Sequence, residues 1–139
     1  WFGKTVSLLA ERAATLEPQV IVAIESRGFI FGGALAAAMG IGMVPVRKPG
    51  KLPYQRSRVE YALEYGVDAL EMHSDALLPG CRVVVVDDLL ATGGTAKAAI
   101  KLTEQQGARV AGCLFVVELS FLGGREKLGE YRIESLIGY

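Results

Sequence analysis

No apolar run in the sequence approaches the ~18 residues that a membrane-crossing helix requires. No signal peptide is recognisable either, since Phe2 to Ala10 lack a long apolar stretch and a cleavage signature behind it. Thiols are scarce: Cys81 and Cys113 stand far apart without metal-ligand spacing. Ordinary thiols in a reducing cytoplasm are expected there, rather than a disulfide or a zinc site. The single histidine, His73, has no Cys or His neighbour in sequence and reads as a surface or strand-end residue. Net charge is missing too, because fifteen basic residues cancel fifteen acidic ones, which argues against a nucleic-acid or membrane partner. Two phosphate-binding signatures are also absent. No Lys-Ser/Thr follows Gly93-Gly94, so there is no Walker A loop, and GxGxxG occurs nowhere. Repeats, low-complexity tracts and an internal linker are likewise missing.

With 51% hydrophobic residues, the 139-residue chain is expected to form a single domain with a real core, spanning residues 1–139. Its most telling segment is Val83 to Thr95, VVVVDDLLATGGT. Four valines need burial on both faces of a parallel sheet, and they run straight into Asp87 and Asp88. A small-residue loop then opens a helix over Ala96–Gln106. Ligands in open α/β sheets sit at the carboxyl ends of strands. The backbone amides of Ala91, Thr92, Gly93, Gly94 and Thr95, at a positive helix end, therefore suit a phosphate. Two carboxylates just before that cradle suit sugar hydroxyls. Taken alone, DD reads as a solvated turn and TGGT as a flexible loop; strand, acids, loop and helix in this order point to a nucleotide or a phosphorylated ribose.

Helical spacing predicts a helix over Val6–Leu16, stopped by Pro18. Strands are predicted at Val20–Ile24, Met43–Val46, Arg109–Glu118 and Ile133–Ile137. Gly28–Met39 reads as a helix capped by Gly40, and a short helix is expected around Glu126–Leu128. Polar-apolar alternation over Val59–Tyr65 and Ala69–His73, around Gly66, suggests a β-ribbon. Pro49–Arg58 is the one long irregular stretch, and its length marks a functional lid or disorder. Strands alternating with helices give a doubly wound α/β fold, a mostly parallel sheet flanked by helices. Ser26-Arg27-Gly28 then falls on the same carboxyl edge as the two aspartates, where an arginine fork matches phosphate oxygens. Arg47, Lys48 and Lys51 crowd the end of the strand closing at Val46.

VVVVDDLLATGGT resembles the phosphoribosyl-diphosphate motif of the type I phosphoribosyltransferases, and DDLLATGGT is most similar to the adenine phosphoribosyltransferases among them. SRGFIFG resembles that family's diphosphate loop, RKPGKLP the segment lining the diphosphate side, and YALEYG the mobile catalytic loop. The likeness runs from the first helix to Tyr139. It implies the type I phosphoribosyltransferase fold and purine salvage, in which adenine and phosphoribosyl diphosphate give AMP and diphosphate with Mg²⁺, in a cytoplasmic homodimer. It further implies that Asp87 and Asp88 hold the ribose, Ala91–Thr95 the 5′-phosphate, and Ser26, Arg27, Lys48 and Lys51 the diphosphate. Glu64 would be the catalytic carboxylate, on a lid with Tyr65, and Mg²⁺ would be held mainly by substrate oxygens rather than by a protein cage. The Pro-Gly-rich amino-terminal arm that forms part of the family's hood over the base has no counterpart in the sequence, which begins at Trp1. The resemblance therefore assigns no base-recognition residues. Two rival functions are a phosphoribosyltransferase for another base, such as hypoxanthine, xanthine or orotate, and a non-catalytic phosphoribosyl diphosphate sensor. RKPGKLP and LEYG speak against the first; Glu64 and the balanced charge speak against the second.

Overall fold

Apolar runs rich in β-branched residues become strands, and the Ala- and Leu-rich stretches between them become helices. In the computed structural model, which describes residues 1–63 and 66–139, the chain runs α1 (Phe2–Ala14), β1 (Val20–Ile24), α2 (Arg27–Met39) and β2 (Gly42–Val46). A hairpin follows, β3 (Arg56–Leu63) and β4 (Gly66–His73), and then β5 (Arg82–Leu90) and α3 (Gly94–Gln105). The chain ends with β6 (Arg109–Glu118), a 3₁₀ turn at Ser120–Leu122, α4 (Gly124–Leu128) and β7 (Ile133–Gly138). Five strands form one sheet in the order β2-β1-β5-β6-β7, with every pairing parallel. The hairpin is a separate antiparallel pair.

The valines of β5 show why this strand lies at the centre. Val83 and Val85 join Val22, Ile24, Leu102 and Phe115 in the core beneath α3 and the hairpin. Val84 and Val86 join Leu9, Ile21, Leu35 and Leu114 beneath α1 and α2. All four valines are fully buried, each contributing roughly 1.5–3 kcal/mol relative to exposure. The connection from β1 leads outward to β2, whereas that from β5 leads the other way to β6. The strand order thus reverses between β1 and β5, which opens a crevice beyond their carboxyl ends.

Several boundaries differ from those expected. Helix α1 starts at Phe2 and ends at Ala14, and α3 starts at Gly94. Strand β5 continues through the aspartates to Leu90 because β6 is long enough to pair with it, Asp87 opposite Phe115 and Leu90 opposite Glu118. The irregular stretch is shorter than Pro49–Arg58, since Arg56 already pairs with His73 at the base of the hairpin. That stretch is also tied down. Arg47 and Glu71 exchange backbone hydrogen bonds of 2.9 and 2.8 Å, and the Gly50 amide donates to Glu71 Oε2 at 3.2 Å. The Arg56 guanidinium reaches the same carboxylate at 2.9 Å. Glu71 is only 2% exposed, and a charge buried that deeply must be paired. Cys81 and Cys113 are free thiols, and burial pushes the Cys113 thiol up to about 12. Among the described residues, no helix is long and apolar enough to cross a membrane.

Helix α2 lies against β1 so closely that a Cβ on Gly32 would stand 2.5 Å from Ala23 Cβ, whereas one on Gly33 would meet only Met43 Sδ at 3.9 Å. Gly32→Ala is expected to destabilise the protein by about 1–3 kcal/mol through overpacking. Gly33→Ala should be neutral or stabilising by up to about 1 kcal/mol, from helix propensity alone. Urea unfolding midpoints separate the two, and equal effects would show that Gly32 does not set the helix-to-sheet distance.

Candidate active site

The crevice between the carboxyl ends of β1 and β5 is a cleft of about 380 Å³. Glu25, Ser26 and Arg27 line it beyond β1, Lys48 beyond β2, and the whole run from Asp87, among the last residues of β5, to Ala96 past its end. Residues more than sixty positions apart in sequence meet here because their strands are neighbours.

The Ala91–Gly93 turn owes its path to two glycines. Gly93 has φ +81°, and a Cβ on it would lie 2.8 Å from the Gly124 carbonyl oxygen. A Cβ on Gly124 would stand 2.2 Å from the Ala91 oxygen, so turn and α4 pack backbone on backbone. Lys97 N donates to Gly93 O at 2.9 Å, which leaves the amides of Gly94, Thr95 and Ala96 without a partner in the preceding turn. No side chain caps this helix end. Free amides and a positive dipole end suit this helix start to an anion.

The two aspartates differ. Asp87 accepts the Asp88 amide at 2.8 Å, and its Oδ1 lies 2.8 Å from where a Cβ on Gly28 would be. Only glycine at position 28 leaves that carboxyl its place. Burial pushes the Asp87 carboxyl up to about 8; the Asp88 amide works against this and the Asp88 carboxylate adds to it. Asp88 instead faces the guanidinium of Arg27, whose Nε donates to Oδ2 at 2.5 Å. The Arg27 side chain is 70% exposed and free to swing. Ser26 forms the N-cap of α2 without a side-chain capping bond, which leaves its hydroxyl available at the cleft edge.

On the basic side, the organising residue is Glu25, which the sequence did not single out. Its carboxylate accepts the Lys48 amide at 2.7 Å and Lys51 Nζ at 2.6 Å, with Arg47 Nη2 at 3.4 Å. Burial would raise its pKa, but these donors together hold it down at about 2. Lys51 therefore stands on Glu25, and it is not among the residues lining the cleft. Lys48 Nζ donates to Tyr61 Oη at 2.8 Å and to the Asp68 carboxylate. Tyr61, which opens YALEYG, and Asp68 received no role from the sequence, although alternation along the hairpin places them on one face. Glu25 left no such signal, because its cations arrive by a different strand. Glu64 and Tyr65 lie outside the described residues; the flanking Leu63 and Gly66 pair across the hairpin.

The profile of the Phosphoribosyl transferase domain family matches residues 6–132. The chain is 56% identical to the adenine phosphoribosyltransferase of Carboxydothermus hydrogenoformans over 138 residues, covering 99% of this chain and 81% of that one. The crystal structure of adenine phosphoribosyltransferase from Thermoanaerobacter pseudethanolicus superposes with a TM-score of 0.97 at 52% identity, over 99% of this chain and 80% of its own. The Saccharomyces cerevisiae enzyme, complexed with adenine and an imino-altritol bisphosphate, gives a TM-score of 0.89 at 43% identity, over 97% and 78%.

The raised Asp87 pKa has a consequence for stability. The native state keeps this proton up to about pH 8, whereas an unfolded aspartic acid releases it near pH ~4. Between those values the native state binds more protons, so wild-type stability falls as pH rises. Asp87→Asn keeps the Oδ1 acceptor and removes that loss. It is expected to match wild type near pH ~4 and to gain on it by up to about 1.4 kcal/mol per pH unit toward pH ~8. Chemical unfolding across this range checks it, and a difference independent of pH would place the titration elsewhere.

Proposed function

The chain belongs to the phosphoribosyl transferase domain family, among the adenine phosphoribosyltransferases, and from that premise we propose how its cleft divides the labour of the reaction. The chain is an enzyme of purine salvage: it transfers the 5-phosphoribosyl group from phosphoribosyl diphosphate to adenine, giving AMP and diphosphate. The observation that carries the residue assignment is that an anion-binding helix end, two aspartates and an arginine from a second strand line one cleft.

The 5′-phosphate occupies the turn Ala91–Thr95, where the amides of Gly94 and Thr95 are free, far enough from the reacting carbon to serve as an anchor that fixes geometry. Asp87 and Asp88 face the ribose. Breaking the bond from C1 to diphosphate builds positive charge on the sugar and negative charge on the leaving group, so anions belong beside the one and cations beside the other. Burial keeps Asp87 protonated in the free protein. A cation developing beside it favours its ionised form, which puts the charge where the transition state needs it. Arg27 leaves Asp88 for the diphosphate, joined by the Ser26 hydroxyl and by Lys48. Lys51 supports this edge from its place on Glu25. Glu64, with Tyr65 beside it in sequence, accepts or polarises a purine proton as the ring nitrogen attacks.

Magnesium suits this donor set as an ion shared with the substrate. Among the described residues, no three His, Cys, Asp or Glu side chains form a metal group. Asp87 and Asp88 nevertheless line the cleft, and Mg²⁺ commonly takes one or two carboxylates together with waters and phosphate oxygens. When bound, it offsets the negative charge of the diphosphate. Exposed apolar side chains such as Ile30 and Phe121 support a homodimer, and the free thiols a reducing cytoplasm.

Formation of AMP from labelled adenine, against hypoxanthine, guanine, xanthine and orotate, tests the assignment. Wild type should use adenine, and Asp88→Asn should lower kcat by about 10²–10³ without matching loss of stability. Near wild-type turnover in that variant would remove Asp88 from the ribose. Arg27→Ala should weaken phosphoribosyl diphosphate about tenfold or more and AMP little, because AMP carries no diphosphate. Equal losses by calorimetry would take Arg27 out of the diphosphate site.

A further inference from the structure

Lys48, assigned above to the leaving diphosphate, is held in the free protein by residues of the hairpin. Tyr61 and Asp68 stand directly opposite each other across β3 and β4, so their side chains emerge side by side on one face. Both reach the same ammonium. Nζ donates to Tyr61 Oη at 2.8 Å and to Asp68 Oδ2, and it lies 5.4 Å from the centre of the tyrosine ring. Tyr61 Oη in turn donates to Asp68 Oδ2 at 3.0 Å and stands 3.5 Å from Thr95 Oγ1, at the start of α3. Three elements meet at one cation: the segment after β2, the hairpin, and the helix that opens on the phosphate cradle.

We infer that Asp68, with Tyr61, is a positioning residue that holds Lys48 in the free enzyme, yields its ammonium to the diphosphate, and takes it back as the product leaves. The inference rests on the diphosphate reading of Lys48. Its physical basis is competition for one ammonium. Asp68 is 30% and Lys48 37% exposed, and ion pairs so open to water contribute little net stability. A diphosphate carries several charges where Asp68 carries one, so it wins the ammonium while it occupies the cleft that Lys48 already lines. The pair is fully charged at neutral pH. The Lys48 hydrogen bond holds Asp68 below the usual carboxylate range; burial lowers Lys48, but Asp68 and Tyr61 raise it above its ordinary value. The other charges near Lys48 do not substitute for Asp68. Glu25 takes the Lys48 amide rather than its ammonium, and Asp88 is paired with Arg27. The hairpin is anchored at its base by buried Val59, Leu70 and Met72, whereas Leu63 and Val67 toward its tip are exposed. The Lys48 contact thus lies where the hairpin leaves the core.

Calorimetry of diphosphate binding to the full chain, combined with steady-state kinetics, tests this. Asp68→Asn keeps the shape and removes the competing charge. It is expected to bind diphosphate on the order of three- to tenfold more tightly, to lower KM for phosphoribosyl diphosphate by a similar factor, and to leave KM for adenine unchanged. Tyr61→Phe, which keeps the ring and loses the hydroxyl, should shift diphosphate affinity the same way by less. In a Lys48→Met background, Asp68→Asn should have no effect on diphosphate affinity. If Lys48→Met weakens diphosphate binding while Asp68→Asn leaves it unchanged or weakens it too, the positioning role is overturned and the diphosphate site stands. If Lys48→Met leaves diphosphate binding intact, the diphosphate reading of Lys48 fails, and this inference with it.

Discussion

The burial of β5 on both faces is the constraint from which the rest of the structure follows. A strand that carries four consecutive valines finds enough apolar surface only between two strands and between two layers of helix. Once β1 and β6 flank it and the two cores close over it, its carboxyl end falls at the reversal of strand order. Asp87, Asp88 and the amide-rich turn are delivered there with no freedom to lie elsewhere. Gly28 shows how tightly that end is specified, since a single methyl group at position 28 would strike Asp87 Oδ1.

Charge compensation is the second organising principle. The cleft and its margin carry cations suited to a polyanion, yet in the free protein each is matched by a carboxylate: Arg27 by Asp88, Lys51 and Arg47 by Glu25, and Lys48 by Asp68. These pairs keep the side chains ordered and the free protein electrically balanced. On the reading proposed above, substrate binding exchanges partners rather than filling a strongly charged hole. Exchange costs less reorganisation than ordering flexible lysines from solvent, and it also lets the product depart.

Asp87 has no such partner. The free protein tolerates a buried carboxyl by keeping it protonated, an arrangement that gains nothing for stability above neutral pH and is expected at a site shaped for a developing cation. The contrast between neighbouring residues is a matter of environment. Asp87 turns toward the Gly28 backbone, Asp88 toward solvent and Arg27.

Much of this was legible in the residues alone. The period and branching of Val20–Ile24 and Arg109–Glu118 marked strands whose limits the fold reproduces, and VVVVDDLLATGGT marked a central strand, two acids at its carboxyl end and a glycine turn into a helix, because those features are local. Boundaries moved where a neighbour decided them, as when β6 drew β5 on to Leu90 and His73 drew Arg56 into the hairpin. Glu25, Tyr61 and Asp68 could not be found in the same way. Each acquires its role from a cation brought by another element, and Lys48 reaches Asp68 across twenty positions of chain. Hydrophobic periodicity and turn chemistry are properties of consecutive residues, and so the elements and the glycine turn between β5 and α3 could be read from the residues alone. Which carboxylate neutralises which cation depends on distances between strands that are not consecutive, and it emerges only once the sheet and hairpin are assembled.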